Sequence, residues 1–171
     1  ACYLGIPCYE RILTVGGSAV NKPYNLQCRI GTPFRYIVEQ CGGFVKTPRK
    51  IVLGGPMMGI CATSFEAPTI KGTAGVLFFT EEEDRHVEHP TCIRCGKCVG
   101  VCPMGLEPYL LATTSALGDW ERAEREYITS CIECGSCQYT CPSARPLLDN
   151  IRKGKATVMG IIKARRQQPK P

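Results

Sequence analysis

The sequence predicts an α+β chain in two parts: a small mixed sheet carrying one helix, then an α-helical unit organised by cysteine. Three observations carry this. Residues 10–80 alternate β-branched segments with a single helical stripe. Residues 92–103 and 131–142 both read C-x2-C-x2-C-x3-C-P. Between these regions Glu81 to Pro90 (EEEDRHVEHP) is acidic and ends in proline, the composition of a linker. The expected division is residues 1–80 for the sheet, 81–90 for the linker, 91–155 for the cysteine-rich helical unit and 156–171 for a basic helix and tail.

Within the sheet part, Arg11 to Val20 (RILTVGGSAV) is β-branched and reads as a strand. Asn21 to Asn25 has turn chemistry, and Leu26 to Ile30 reads as a second strand, giving a hairpin. Thr32 is placed to N-cap a helix with Pro33 at its first position. Phe34, Ile37, Val38 and Cys41 recur at helical spacing, and Gly42-Gly43 stops the helix. Lys50 to Leu53 is a short strand. It runs into Gly54-Gly55-Pro56-Met57-Met58-Gly59, which matches neither the dinucleotide nor the P-loop glycine pattern. That string reads as a tight turn with both methionines packed inside. Gly75 to Thr80 (GVLFFT) is the last strand, and one helix on a mixed sheet follows.

The cysteine runs carry the chemistry. Cys92, Cys95, Cys98 and Cys102, then Cys131, Cys134, Cys137 and Cys141, repeat the bacterial spacing for [4Fe–4S] clusters. Three thiolates two residues apart wrap one loop around a cluster. The fourth belongs to the other cluster. One cluster is therefore expected on Cys92, Cys95, Cys98 and Cys141, and the other on Cys131, Cys134, Cys137 and Cys102. Gly96 and Gly135 sit inside the loops, where the backbone comes close to sulfide and positive φ is useful. Ile93, Val99, Val101, Ile132 and Tyr139 flank the ligands and are expected to keep water away. A zinc ribbon would use two C-x2-C pairs and leaves the third and fourth cysteine of each run, and the prolines, unexplained.

Between the runs, residues 103–130 hold Leu106, Leu110 and Leu111, then Gly118 and an Asp119-capped segment, a helical hairpin. Pro146 starts a helix with Leu147, Leu148, Ile151, Val158, Met159 and Ile162 as its stripe; Gly154 and Gly160 weaken it. The paired runs imply pseudo-two-fold symmetry.

With 44% hydrophobic residues the chain has enough apolar material for a core, and no stretch approaches the roughly 20 apolar residues of a membrane span. The first ten residues lack a basic region followed by an apolar run, so no signal peptide is read. Cys2, Cys8, Cys28, Cys41 and Cys61 share no spacing and read as reduced, small apolar side chains, in keeping with a reducing cytosol. The formal charge is +6; two oxidised clusters with their thiolates, about −2 each, bring it to roughly +2. Seven Lys or Arg and no acid lie between Ile151 and Pro171. They read as a solvated helix face, with docking to an acidic partner or anionic membrane as the alternative. His86 and His89 precede Cys92, but full ligand sets leave them no metal role. No catalytic dyad or triad is visible.

Several strings together resemble the RnfC component of the Rnf ion-translocating electron transport complex. They are Glu10–Val15 (ERILTV) with Gly17–Val20 (GSAV), Arg29–Phe34 (RIGTPF), Gly54–Gly59 (GGPMMG), Cys92–Cys98 running into Cys102–Leu111 (CPMGLEPYLL), and Cys131–Cys137. The resemblance implies a soluble-ligand-binding β-grasp (SLBB) fold for residues about 10–80 and a dicluster ferredoxin-like fold for residues about 90–155. It implies an electron relay between ferredoxin and NAD, coupled to Na⁺ or H⁺ transport. The expected partners are other Rnf-complex subunits and a ferredoxin-like carrier, without nucleic acid. The expected place is peripheral, on the cytoplasmic face of the bacterial inner membrane. FMN and NADH are expected only in a preceding domain that this chain does not include, so the chain reads as a C-terminal fragment. Two alternatives stay open: a corrinoid reductase of the PduS type, and a ligand- or subunit-docking module whose clusters are structural.

Overall fold

The structure, a computed structural model, describes residues 3, 5–83 and 90–167. His86, His89, Cys2 and the last four residues lie outside them. The chain forms two compact units, Ala1–Arg85 and His86–Pro171.

The first unit is a five-stranded mixed sheet in the order β2-β1-β5-β3-β4. β1 (Glu10–Gly16) and β2 (Tyr24–Arg29) form the expected antiparallel hairpin, with Leu13 opposite Leu26. β5 (Gly75–Phe79) lies parallel to β1 and antiparallel to β3 (Lys50–Leu53). β4 (Ile60–Ala62), which no sequence pattern predicts, is the edge strand against β3. α1 (Phe34–Gln40) buries Phe34, Ile37 and Val38, and Cys41 follows them into the core. That core also takes Leu13, Val15, Ile51, Val76 and Phe78. Phe44, Phe65 and Phe78 pack as an aromatic trio with centroids 5.2–6.1 Å apart.

Three expectations fail here. Thr32 does not cap α1: Pro33 occupies the N-cap position with no side-chain bond, and the Thr32 hydroxyl donates back to the Arg29 carbonyl. Met57 and Met58 face solvent, because Gly54–Gly59 is the turn of the β3–β4 hairpin at the sheet margin. Cys8 and Cys61 are exposed, so among the described cysteines outside the two runs Cys41, and partly Cys28, serve as apolar filling.

The second unit is helical. α2 (Lys97–Gly100) and α5 (Ser136–Tyr139) are single turns. α3 (Pro108–Leu117) and α4 (Trp120–Arg125) form the predicted hairpin, and Asp119 caps α4 by accepting from the Arg122 N–H at 3.1 Å. α6 (Leu147–Gln167) runs 21 residues and packs on α3. Its core face is Leu147, Leu148, Ile151 and Val158 with Leu111, Ala123 and Ile128 opposite. Met159 points outward, off the predicted stripe. Gly154 does more than lower helix propensity: a Cβ there would meet Ser115 Oγ at 2.0 Å. α6 and α3 touch at that point because it carries no side chain.

Candidate metal centres

Each cysteine run folds as the same local device. After the first cysteine, the third residue of the run takes a left-handed backbone: Arg94 at φ 56° and Glu133 at φ 57°. Gly96 and Gly135 follow at φ 72° and 78°, the conformation glycine accepts without a Cβ penalty. One helical turn then places the third cysteine, α2 in the first run and α5 in the second. Three residues past the last cysteine the chain turns left-handed again, at Gly105 (φ 64°) and Ala144 (φ 49°). These matched dihedrals show that the two runs repeat one local backbone conformation. The positive φ of Arg94 and Glu133 has no sequence signal, since neither residue type favours it.

The cysteines gather across the runs. One cavity is lined by Cys102, Cys131, Cys134 and Cys137, walled by Leu106, Leu111, Leu148 and Ile151. A second, more open cavity is lined by Cys92, Cys95, Cys98 and Cys141, with Tyr109, Leu110, Arg94 and Arg145 at its edge. The fourth cysteine of each run thus faces the other run's first three. Among the described residues no three Cys, His, Asp or Glu side chains crowd around one point as a single ion requires. A lone zinc would draw its sulfurs to about 2.3 Å of one centre, whereas a cubane spreads them over its corners.

The water screen differs from expectation. Ile93, Val101, Ile132 and Tyr139 are all exposed, Tyr139 to 68%; Ile93 and Ile132 line the two cavities but leave much of their surface in solvent. The dry side comes instead from α3 and α6: Leu111, Leu147 and Ile151 are each 1% exposed.

The donor set fits iron–sulfur groups. Burial pushes the Cys137 thiol up to about 11, and raises Cys98 and Cys131 as well. Such thiols keep their protons near neutral pH until a bound metal displaces them, since the thiolate is the ligand. Donors already point at sulfur: the Leu106 N–H to Cys102 Sγ and the Glu133 N–H to Cys131 Sγ, both at 3.4 Å. The Ser136 hydroxyl, 3.5 Å from Cys134 Sγ, draws that thiol below its ordinary value.

Around the second loop stands a charged trio where the sequence alone suggests a solvated face. Lys155 Nζ donates to the Cys131 carbonyl at 2.7 Å and to Glu133 Oε1 at 3.0 Å; Arg152 Nε reaches Glu133 Oε2 at 3.1 Å. The Lys155 hydrogen bond, with Arg152 beside it, holds the Glu133 carboxyl below its usual range. Arg165 pairs with Glu124 at 2.8 Å. Arg152, Lys155 and Arg165 are therefore engaged within the molecule.

The SLBB domain family matches residues 12–60, and the 4Fe-4S dicluster domain family matches residues 85–142. Over 155 residues, 91% of this chain, the sequence is 44% identical to the C component of the Na(+)-translocating ferredoxin:NAD(+) oxidoreductase complex of Acetobacterium woodii, covering 35% of that protein. It is 41% identical over 155 residues to the C component of the ion-translocating oxidoreductase complex of Methanosarcina acetivorans, 91% of this chain and 34% of that protein. It is also 41% identical over 123 residues to the C component of the proton-translocating ferredoxin:NAD(+) oxidoreductase complex of Clostridium ljungdahlii, 72% of this chain and 27% of that protein. The chain thus spans about a third, or less, of the length of these relatives. No helix among the described residues is long and apolar enough to cross a membrane.

Proposed function

We propose that this chain is part of an RnfC-type component of an ion-translocating oxidoreductase complex, to whose C components it is 41–44% identical over 91% of its length, and that it is an electron relay within such a complex. Its two cysteine quartets would hold two [4Fe–4S] clusters: Cys92, Cys95, Cys98 and Cys141 the first, Cys131, Cys134, Cys137 and Cys102 the second. The observation that carries this is the sorting of eight cysteines into two cavities, four and four, across the sequence repeat. When bound, the clusters supply reversible one-electron chemistry.

The chain's own residues do the rest. The eight thiolates hold. Leu106, Leu111, Leu148 and Ile151 keep the cavity of Cys102, Cys131, Cys134 and Cys137 dry, so charge change there meets fixed dipoles instead of mobile water. The N–H groups of Leu106 and Glu133 stabilise negative charge on sulfur. The crossed ligand sets tie both loops into one unit, keeping the two centres at short range for transfer.

In this reading the relay works with the other subunits of an Rnf-type complex and a ferredoxin-like carrier, as a peripheral component on the cytoplasmic face of the cell membrane. The complex transfers electrons between ferredoxin and NAD and couples that to Na⁺ or H⁺ movement. FMN and NADH binding belong to the greater part of the relatives' length that this chain does not span.

Iron analysis of paired variants tests the crossing. The reconstituted chain holds about eight irons. Cys102→Ala and Cys134→Ala each leave about four, and so does their combination, because both remove the same cluster. Cys102→Ala with Cys95→Ala leaves almost none. The reverse pattern would assign Cys102 to its own run.

A further inference from the structure

The two loops share their backbone and differ in what faces them. Glu133 and Arg94 occupy the same left-handed position, one an acid and one a base. Glu133 is met by two cations from α6, and one of these, Lys155, also grips the carbonyl of a ligand-bearing residue, Cys131. Lys155 is only 20% exposed and Arg152 23%, so water screens them weakly. Lys155 lies fourteen residues after Cys141, or nine after Pro146. The same offsets from Cys102 and Pro108 fall on Ala116 and Leu117, the uncharged end of α3. α6 reaches Lys155 only because it continues far past that length.

We propose that Lys155 is a positioning residue for the second quartet: it pins the Cys131–Glu133 turn and biases that quartet's cluster toward its reduced state, with no charged counterpart at the matching place on α3. The inference rests on the cluster reading above. Its physics is simple. Reduction adds one electron and one negative charge to the site, and no bond forms or breaks. Two cations and one carboxylate leave the trio at a net charge of +1, which favours the more negative state. The Glu133 N–H, which donates to Cys131 Sγ, is held in place by the same turn.

The test is a dithionite redox titration of the iron-loaded chain followed by EPR. Lys155→Met should make one cluster about tenfold harder to reduce, a fall of about 59 mV for one electron, while the other stays within twofold. Glu133→Gln, which deletes the negative member of the trio, should move that same cluster the opposite way. Lys155→Arg should restore the potential. A merely structural role would cost iron or shift both variants together. Unchanged potentials, shifts of the same sign, or equal shifts in both clusters overturn the proposal. Should Lys155→Met fail to load iron, the sign of the Glu133→Gln shift decides: upward in one cluster supports the proposal, flat or downward sinks it. Far fewer than eight irons in the unsubstituted chain would defeat the cluster reading itself; intact spectra with unmoved potentials would defeat this inference alone.

Discussion

Two glycines six residues apart on α6 have opposite roles. A Cβ at Gly154 would strike Ser115 Oγ and Cβ and come within 2.9 Å of Ile128 Cδ1, whereas one at Gly160 meets nothing within 4 Å. Gly154→Ala should therefore destabilise the chain by about 1–3 kcal/mol through overpacking. Gly160→Ala should stabilise it by up to about 1 kcal/mol through helix propensity. Thermal unfolding of the iron-loaded variants checks both, and equal effects would refute the close contact. The sequence does not separate them, because both read as helix-weakening glycines until α3 is packed against one. The cysteines are legible for the opposite reason. Their function is set by spacing along the chain, so Cys92 and its seven partners announce themselves. Lys155 is not legible: it meets Glu133 across 22 residues, and only the course of α6 brings them together.

Most elements are readable where a local signal sets both ends. α1 has its stripe and a Gly-Gly stop, with Gly42 and Gly43 at φ 79° and 77°. α4 has Asp119 at its start. Asp119→Ala should cost about 1 kcal/mol and speed amide exchange in residues 120–122, leaving α3 unchanged; protection that stays the same would mean the cap is idle. β4 is hidden because three residues, Ile60 to Ala62, are too few to show alternation, and pairing with β3 supplies the order. Pro146 marks the start of α6, but nothing local marks its cap. Gln138 on α5 accepts from the Leu148 N–H at 2.8 Å, a bond made between elements and invisible to any pattern along the chain.

At the scale of the whole molecule there are two separate cores, one around Phe34, Phe78 and Val15 and one around Leu111, Ile128 and Ile151. Among the described residues the quartets join the second, which includes Cys137 and has Cys98, Cys131 and Cys141 packed against it. Iron removal by an anaerobic chelator should thus lower the melting transition of the helical unit and leave that of the sheet unit in place, seen as two calorimetric steps of which one moves. Phe78→Ala should do the reverse, costing the sheet unit about 3–5 kcal/mol with the iron content intact. A single transition moving in both experiments would mean the units unfold together. The matched dihedrals at positions 94 and 133 have one more consequence. Geometry is duplicated there while sign is not, so the charge difference between the two sites is carried by side chains on a shared loop backbone. An engineer wishing to flatten that difference need not reshape the scaffold; neutralising the ammonium that α6 brings to the second turn would suffice.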